Sequence, residues 1–275
     1  MPYAQAGDVR IYYEAFGKGA PFLFVSGTGW PGEPWKIYQV PAFADRCRVI
    51  VYDHRGVGGS DAPDEPYSTR QFASDAANLL DAIGVAEPAH ILGHSMGGRV
   101  CQWLALDHPG KVRSMILAAS GSGAMGDPDY PRELALHSIE SMIEHGYEEH
   151  IRRHMKSPFF FPGEFVKNHP EEVERLFQAF WRRRPKLRPY LRHVIARNQH
   201  ETETFLDQIS VPTLVLVGGE DSARSDTGNH VRSSEYLRDH IPGARYALVE
   251  GCAHGFFWQK PQETNRIISE WLESH

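Results

Sequence analysis

Cysteine is scarce in this 275-residue chain: Cys47, Cys101 and Cys252 are the only three, scattered and without metal-ligand spacing. An odd, dispersed set does not make a disulfide framework and fits free thiols in a reducing compartment. Long apolar runs are missing too, and no stretch approaches the length of a membrane span. The first eight residues, Met1 to Asp8, carry neither the basic nor the apolar region of a signal peptide, so the expected location is cytoplasmic. Positive charge is not in excess. With 29 Lys and Arg against 35 Asp and Glu, the net charge is -6, which argues against nucleic acid or an anionic membrane as bulk partners. Internal repeats and low-complexity segments are absent. The remainder, 41% hydrophobic and 23% charged, is the composition of a globular protein long enough for one large α/β domain with an insertion.

Short apolar runs alternate with helical patterns. Val9–Tyr13 reads as a half-buried strand, and Phe22–Val25 and Val49–Tyr52 as strands covered on both faces. A helix is expected over Thr69–Ile83, with Gly84 as its stop, and a strand from Ala89 into Gly93. A second helix spans Met96–His108, followed by strands at Met115–Ala119, Thr213–Val217 and Tyr246–Val249 and a last helix at Pro261–Leu272. Such alternation implies a mostly parallel sheet with helices on both faces. From about Gly121 to Ile209 the strand pattern stops, giving way to helices broken at Pro158, Pro162, Pro170, Pro185 and Pro189. The expected division is a core of 1–120 and 210–275 with a helical cap of 121–209.

The most informative segment is Gly93-His94-Ser95-Met96-Gly97-Gly98, between a strand and a helix. A serine held on so tight a turn projects its hydroxyl from the sheet edge, and the turn closes only when the residues two before and two after are nearly without side chains. The following helix aims its N-terminus at the same point, which favours developing negative charge. Cys101, six residues on, reads as a small core residue rather than a second nucleophile. A serine hydroxyl needs a base, and the base an orienting acid. Asp221 follows the strand Thr213–Val217, and His254 follows Tyr246–Val249, so Ser95, Asp221 and His254 are all expected at the carboxyl edge of the sheet, where such sheets bind ligands. Glu220 and Asp226 are rival acids, and His94 reads as packing within the elbow.

With these residues in view the chain resembles the α/β-hydrolase superfamily, in its esterase, lactonase and carbon–carbon hydrolase branch. Asp53-His54-Arg55-Gly56-Val57-Gly58-Gly59-Ser60 matches the family's D-x-R-G-x-G-x-S turn, and Gly-x-x-Asp at Asp221 and Gly-x-x-His at His254 match its acid and base positions. Dehalogenases and epoxide hydrolases of this fold carry Asp where this chain has Ser95. The resemblance implies an eight-stranded, mostly parallel sheet with an inserted helical cap. It favours Asp221 over Glu220 as the acid. It also implies an oxyanion hole built from the backbone N–H groups of Met96, after the nucleophile, and Thr28, in the loop Ser26-Gly27-Thr28-Gly29. The family usually has His where this chain has Ser26, so the loop must be anchored differently. Gly29-Trp30-Pro31-Gly32 loosely resembles the Gly-Pro-Gly loop of the carbon–carbon hydrolases, with an extra Trp.

The cap segment is rich in aromatic residues, including Phe159 and Trp181, which with Trp30 are candidates to line a substrate pocket. Between Arg175 and His200 it has no acidic residue but carries Arg182, Arg183, Arg184, Arg188, Arg192 and Arg197. These form either a solvated face or, at one or two positions, a clamp for a substrate carboxylate. The expected function is hydrolysis of a small-molecule ester or lactone through an acyl-serine, without cofactor or metal, by a monomer or homodimer. Carbon–carbon hydrolysis of a vinylogous diketone and a non-catalytic ligand receptor are the alternatives.

Overall fold

The structure, a computed structural model, describes residues 2–123, 136–221 and 229–275, with the backbone alone for 136–138. Among these residues eight strands form one sheet: β1 (Tyr3–Ala6), β2 (Val9–Phe16), β3 (Ala20–Val25), β4 (Cys47–Tyr52), β5 (Ala89–His94), β6 (Val112–Ala118), β7 (Thr213–Gly218) and β8 (Arg245–Val249). Their spatial order is β1-β2-β4-β3-β5-β6-β7-β8. β1 and β2 pair antiparallel at one edge, β2 is antiparallel to β4, and the remaining pairings are parallel. β1 has no apolar run to announce it. It is four residues long and mostly exposed, held by the register Tyr3 to Tyr12 and Ala6 to Val9.

Alternation within β3 shows why the central runs are continuously apolar. Phe22 and Phe24 face a core shared with Trp35 and Phe43, while Leu23 and Val25 face a second core shared with Phe72, Leu79 and Val100. The first face is covered by α1 (Gln39–Phe43) and α11 (Pro261–Glu273), the second by α2 (Thr69–Ala82) and α3 (Met96–Asp107). Both sides of each central strand are therefore removed from water. All three cysteines are buried and free, Cys101 among them in the second core.

Between β6 and β7 the described residues form five helices: α4 (Leu136–His145), α5 (Tyr147–Met155), α6 (Gly163–Asn168), α7 (Pro170–Arg182) and α8 (Leu187–Asn198). Pro170 opens α7, and Pro158, Pro162 and Pro185 lie between helices. Pro189 departs from expectation. It is the third residue of α8, inside the first turn, where a missing N–H loses no helical hydrogen bond. The insertion rests on the loops that follow the parallel strands. The carbonyls of Phe159 and Phe160 accept from the N–H groups of His254 (3.1 Å) and Gly255 (2.8 Å), beyond β8. After β7 come α9 (His230–His240) and, beyond β8, the short α10 (Phe256–Gln259). No described helix is long and apolar enough to cross a membrane.

Two histidines locked where the insertion meets the core make the fold acid-sensitive. His54 and His193 are fully buried, with ring centroids 6.0 Å apart. Burial, reinforced by the facing His193, pushes His54 down to about 3, and burial pushes His193 down to about 4. An unfolded histidine titrates near 6.5, so below that pH the unfolded chain binds protons that the folded chain does not. Their contribution is complete above about pH 6.5 and is lost as pH falls, by about 2 kcal/mol for each at about pH 5. The urea midpoint should accordingly drop steeply between about pH 7.5 and about pH 5. An unchanged midpoint would mean that both sites accept protons without opening.

Candidate active site

Ser95 lies between the last residue of β5 and the first turn of α3, with φ 56° and ψ -121°. That is a left-handed conformation which a residue with a side chain adopts only when its surroundings enforce it. The surroundings are visible. The Ser95 N–H donates to the Ala118 carbonyl at 2.8 Å, and the Ser120 hydroxyl donates to the Ser95 carbonyl at 2.8 Å. A Cβ at Gly93 would stand 2.2 Å from the Gly97 carbonyl oxygen, and one at Gly97 would stand 2.0 Å from that of Val25. Backbone closes on backbone here, so both positions require glycine.

The loop after β7 carries Asp221, fully buried, and the loop after β8 carries His254. The Asp221 Oδ2 lies 2.7 Å from His254 Nδ1, which leaves the other ring nitrogen, Nε2, for different work. The second oxygen is also occupied: Oδ1 lies 3.1 Å from Nδ1 of His230, the first residue of α9. Burial alone pushes the Asp221 carboxyl up, but the facing His230 and His254 imidazoles outweigh it and hold it well below the usual carboxylate range. Burial pushes His230 down, against the pull of Asp221. Glu220 is exposed and turns away, with its N–H bonded to the Cys252 carbonyl at 2.8 Å. Asp226 lies outside the described residues. His94 donates through Nε2 to the His254 carbonyl at 3.0 Å, and burial holds it well below its ordinary pKa. It braces the loop that carries His254 and also reaches the cavity wall. Asp221, His230 and His254 offer donor atoms within 4.8 Å of one another, the spacing of a three-ligand metal site, and the two carboxylate–imidazole hydrogen bonds account for that proximity.

Ser26, in place of the family's histidine, anchors its loop from both sides. Its hydroxyl donates to the Pro31 carbonyl at 3.2 Å and accepts from the Trp35 indole N–H at 2.9 Å. The His54 Nε2–H donates to the Ser26 carbonyl at 3.2 Å. Thr28 then reaches the cavity wall, and Met96, at the first position of α3, is fully buried. Among the described residues no hydrogen bond engages the N–H of either.

Ser95, His254 and Thr28 line one cavity of about 540 Å³ beneath the insertion. Trp30, Phe159 and Phe160 form an aromatic wall. Trp30 stacks on Phe160 at 5.4 Å between centroids, and Phe159 stacks on the His254 imidazole at 4.6 Å. Glu140, Glu144, Arg153 and Arg197 make another part of the lining polar. Trp181 is not part of it. It stacks on Phe177, one helical turn earlier in α7, at 5.4 Å, under the Arg184 guanidinium. The cap arginines divide. Arg182, Arg183, Arg184, Arg188 and Arg192 lie off the cavity, and of the run only Arg197 reaches it. Arg183 instead pairs with Asp53 at 3.0 Å over the Tyr12 ring, and Arg188 and Arg192 pair with Asp64.

A family profile described as the alpha/beta hydrolase fold matches residues 20–261. The chain belongs to that family. A candidate carbamate hydrolase, RutD, of Azorhizobium caulinodans is 31% identical over 268 residues, 98% of this chain and 97% of its own. The 3-oxoadipate enol-lactonase 2 of Acinetobacter baylyi is 27% identical over 265 residues, 96% of this chain and 93% of its own. The solved structure of Est816, described as an N-acyl homoserine lactone degrading enzyme, superposes with a TM-score of 0.79 at 27% identity, covering 98% of this chain and 99% of that one.

In this α/β-hydrolase the D-x-R-G turn is also structural. Asp53 accepts from the N–H groups of Gly32 and Gly59, both at 2.9 Å, and Arg55 is buried against Asp75 at 2.6 Å. Two site residues had no sequence signal of their own. His230 follows Asp221 by nine positions, and His193 is one of fifteen histidines, on a helix whose polar pattern gives its direction no emphasis.

Proposed function

We propose that this chain is a serine hydrolase of small carboxylic esters or lactones, working through an acyl-serine with residues 121–209 as a cap. The observation that carries the reading is the pairing of buried Asp221 with Nδ1 of His254, whose ring lines the cavity that also receives the strained Ser95. The Ser95 Oγ attacks the carbonyl carbon while His254 Nε2 takes its proton, and Asp221 holds the imidazole in the required tautomer and stabilises the imidazolium. The N–H groups of Met96 and Thr28 take the negative charge of the tetrahedral oxyanion. Collapse breaks the acyl–oxygen bond, and the proton passes from His254 to the leaving alkoxide. Water, deprotonated by His254, then attacks the acyl-serine and releases the acid; a lactone yields a single hydroxy acid.

A cavity of about 540 Å³ suits a small molecule, and its aromatic wall of Trp30 and Phe159 suits an apolar acyl or alcohol group. Relatives named for enol-lactone and N-acyl homoserine lactone degradation, and one named for carbamate hydrolysis, share the same demand for acyl transfer to water. The substrate is taken up by a cytoplasmic protein with no nucleic acid or membrane partner. The test is a product-resolved screen of esters, lactones, thioesters, carbamates and vinylogous diketones against the purified chain. Ester or lactone cleavage that is lost in Ser95→Ala is expected. Cleavage confined to the diketones would move the reaction to carbon–carbon hydrolysis, and ligand binding without any turnover would make the chain a receptor.

A further inference from the structure

The loop that carries Thr28 is a tight turn. The Trp30 N–H donates to the Gly27 carbonyl at 3.1 Å, closing the four residues Gly27 to Trp30. Gly29, third in the turn, has φ 67°. This is the geometry in which the central peptide, between Thr28 and Gly29, is turned over relative to the commoner turn. Because the Gly27–Thr28 peptide is planar and trans, a Gly27 carbonyl pointing into the turn leaves the Thr28 N–H pointing out of it. Both forms of such a turn keep the Gly27 carbonyl inside, so the direction of the Thr28 N–H in the cavity depends on how the turn as a whole is seated.

The side chain that seats the turn comes from the insertion. The Gly29 N–H donates to Nδ1 of His193 at 3.3 Å, and the opposite ring nitrogen, Nε2, donates to the Arg55 carbonyl at 2.9 Å. A backbone N–H can only donate and a carbonyl can only accept, so both partners require the neutral Nε2–H tautomer. Burial keeps the ring neutral at ordinary pH. His193 is fully buried, its ring 4.7 Å from that of Phe72, and Tyr190 of the same helix sits against Gly29, where a Cβ would stand 2.6 Å from Tyr190 Cδ2. The residue thus ties α8, the Gly27–Trp30 turn and the Arg55 turn together at one point.

We propose that His193 is a positioning residue for the oxyanion hole: by accepting the Gly29 N–H it seats the Gly27–Trp30 turn and keeps the Thr28 N–H directed at the carbonyl that Ser95 attacks. The inference rests on the hydrolase reading above. It makes the inserted helices part of the catalytic apparatus as well as its cover, because α8 supplies the restraint on a donor carried by the loop after β3.

The test compares three variants with wild type on one hydrolysed ester. His193→Phe keeps a ring against Phe72 but no acceptor, His193→Gln reaches towards Arg55 without an acceptor for Gly29, and His193→Asn places an amide oxygen near the Nδ1 position. Removing an oxyanion donor outright costs about 10²–10³-fold in turnover, so a displaced donor is expected to cost about 10–100-fold in kcat. KM should stay within about threefold, since the loss falls on the transition state. Affinity for a boronic acid, whose tetrahedral adduct places an oxygen in the hole, should fall in parallel with kcat in the Phe and Gln variants, and His193→Asn should recover most of both. If His193→Phe fails to fold, the Gln and Asn pair decides. Wild-type kcat in His193→Gln, or an Asn variant no better than Gln, would overturn the proposal. Ser95→Ala run alongside separates the two claims: hydrolysis surviving that change removes the hydrolase reading itself, and the positioning role with it.

Discussion

Ser95→Ala is expected to lower turnover by about 10⁴–10⁶-fold, the scale on which a triad nucleophile contributes, while the fold and ligand affinity persist. Among the described residues the hydroxyl has no structural partner to lose. The hydrogen bonds that hold the strained residue belong to its backbone, through Ala118 and Ser120. Alanine inherits the same φ of 56°, so stability should be unchanged. Glycine at this position removes the backbone strain, and Ser95→Gly should be equally inactive yet more stable by about 1 kcal/mol. A stability gain together with a complete activity loss would identify the strain as serving the nucleophile. Turnover near wild type in either variant would remove Ser95 from the reaction.

Asp221→Asn should cost on the order of 10⁴-fold in turnover, whereas Glu220→Gln should leave it within about twofold. The carboxylate accepts from two imidazoles at once, His254 at 2.7 Å and His230 at 3.1 Å. An amide has one accepting oxygen, so its NH₂ must face one of the two Nδ1 atoms and drive a proton off it. If that atom belongs to His254, the proton moves to Nε2 and the nitrogen that should take the Ser95 proton is blocked. If it belongs to His230, a fully enclosed contact is rearranged beside the base. Glu220 is exposed and meets neither ring. Steady-state rates for the two variants on one substrate check the assignment, and a larger loss in Glu220→Gln would reverse it.

The parts of the site that could be read in advance are those enforced by backbone geometry. Gly93 and Gly97 are required by contacts between main chains, and such contacts leave a fixed spacing around Ser95. The apolar runs of β3, β5 and β7 follow from burial on both faces, and Asp221 and His254 follow from where β7 and β8 end. What escaped is decided by side-chain direction and by partners distant in the chain. Within the arginine run only Arg197 reaches the cavity, Arg183 finds Asp53, 130 positions away, and Trp181 turns onto its own helix. His230 and His193 act through hydrogen bonds to a loop and a turn whose positions only the assembled sheet and insertion define. β1 is silent in the sequence for the opposite reason, since four half-exposed residues bury too little to leave a pattern.

The central claim is that His254 and Asp221 activate the Ser95 hydroxyl, and covalent capture by a fluorophosphonate tests it without knowledge of the substrate. Peptide mapping after labelling should place a single adduct on the peptide containing Ser95. The labelling rate should fall by several orders of magnitude in His254→Ala and in Asp221→Asn, and remain at wild-type level in Glu220→Gln. An unlabelled protein, or an adduct on any other residue, would contradict the account.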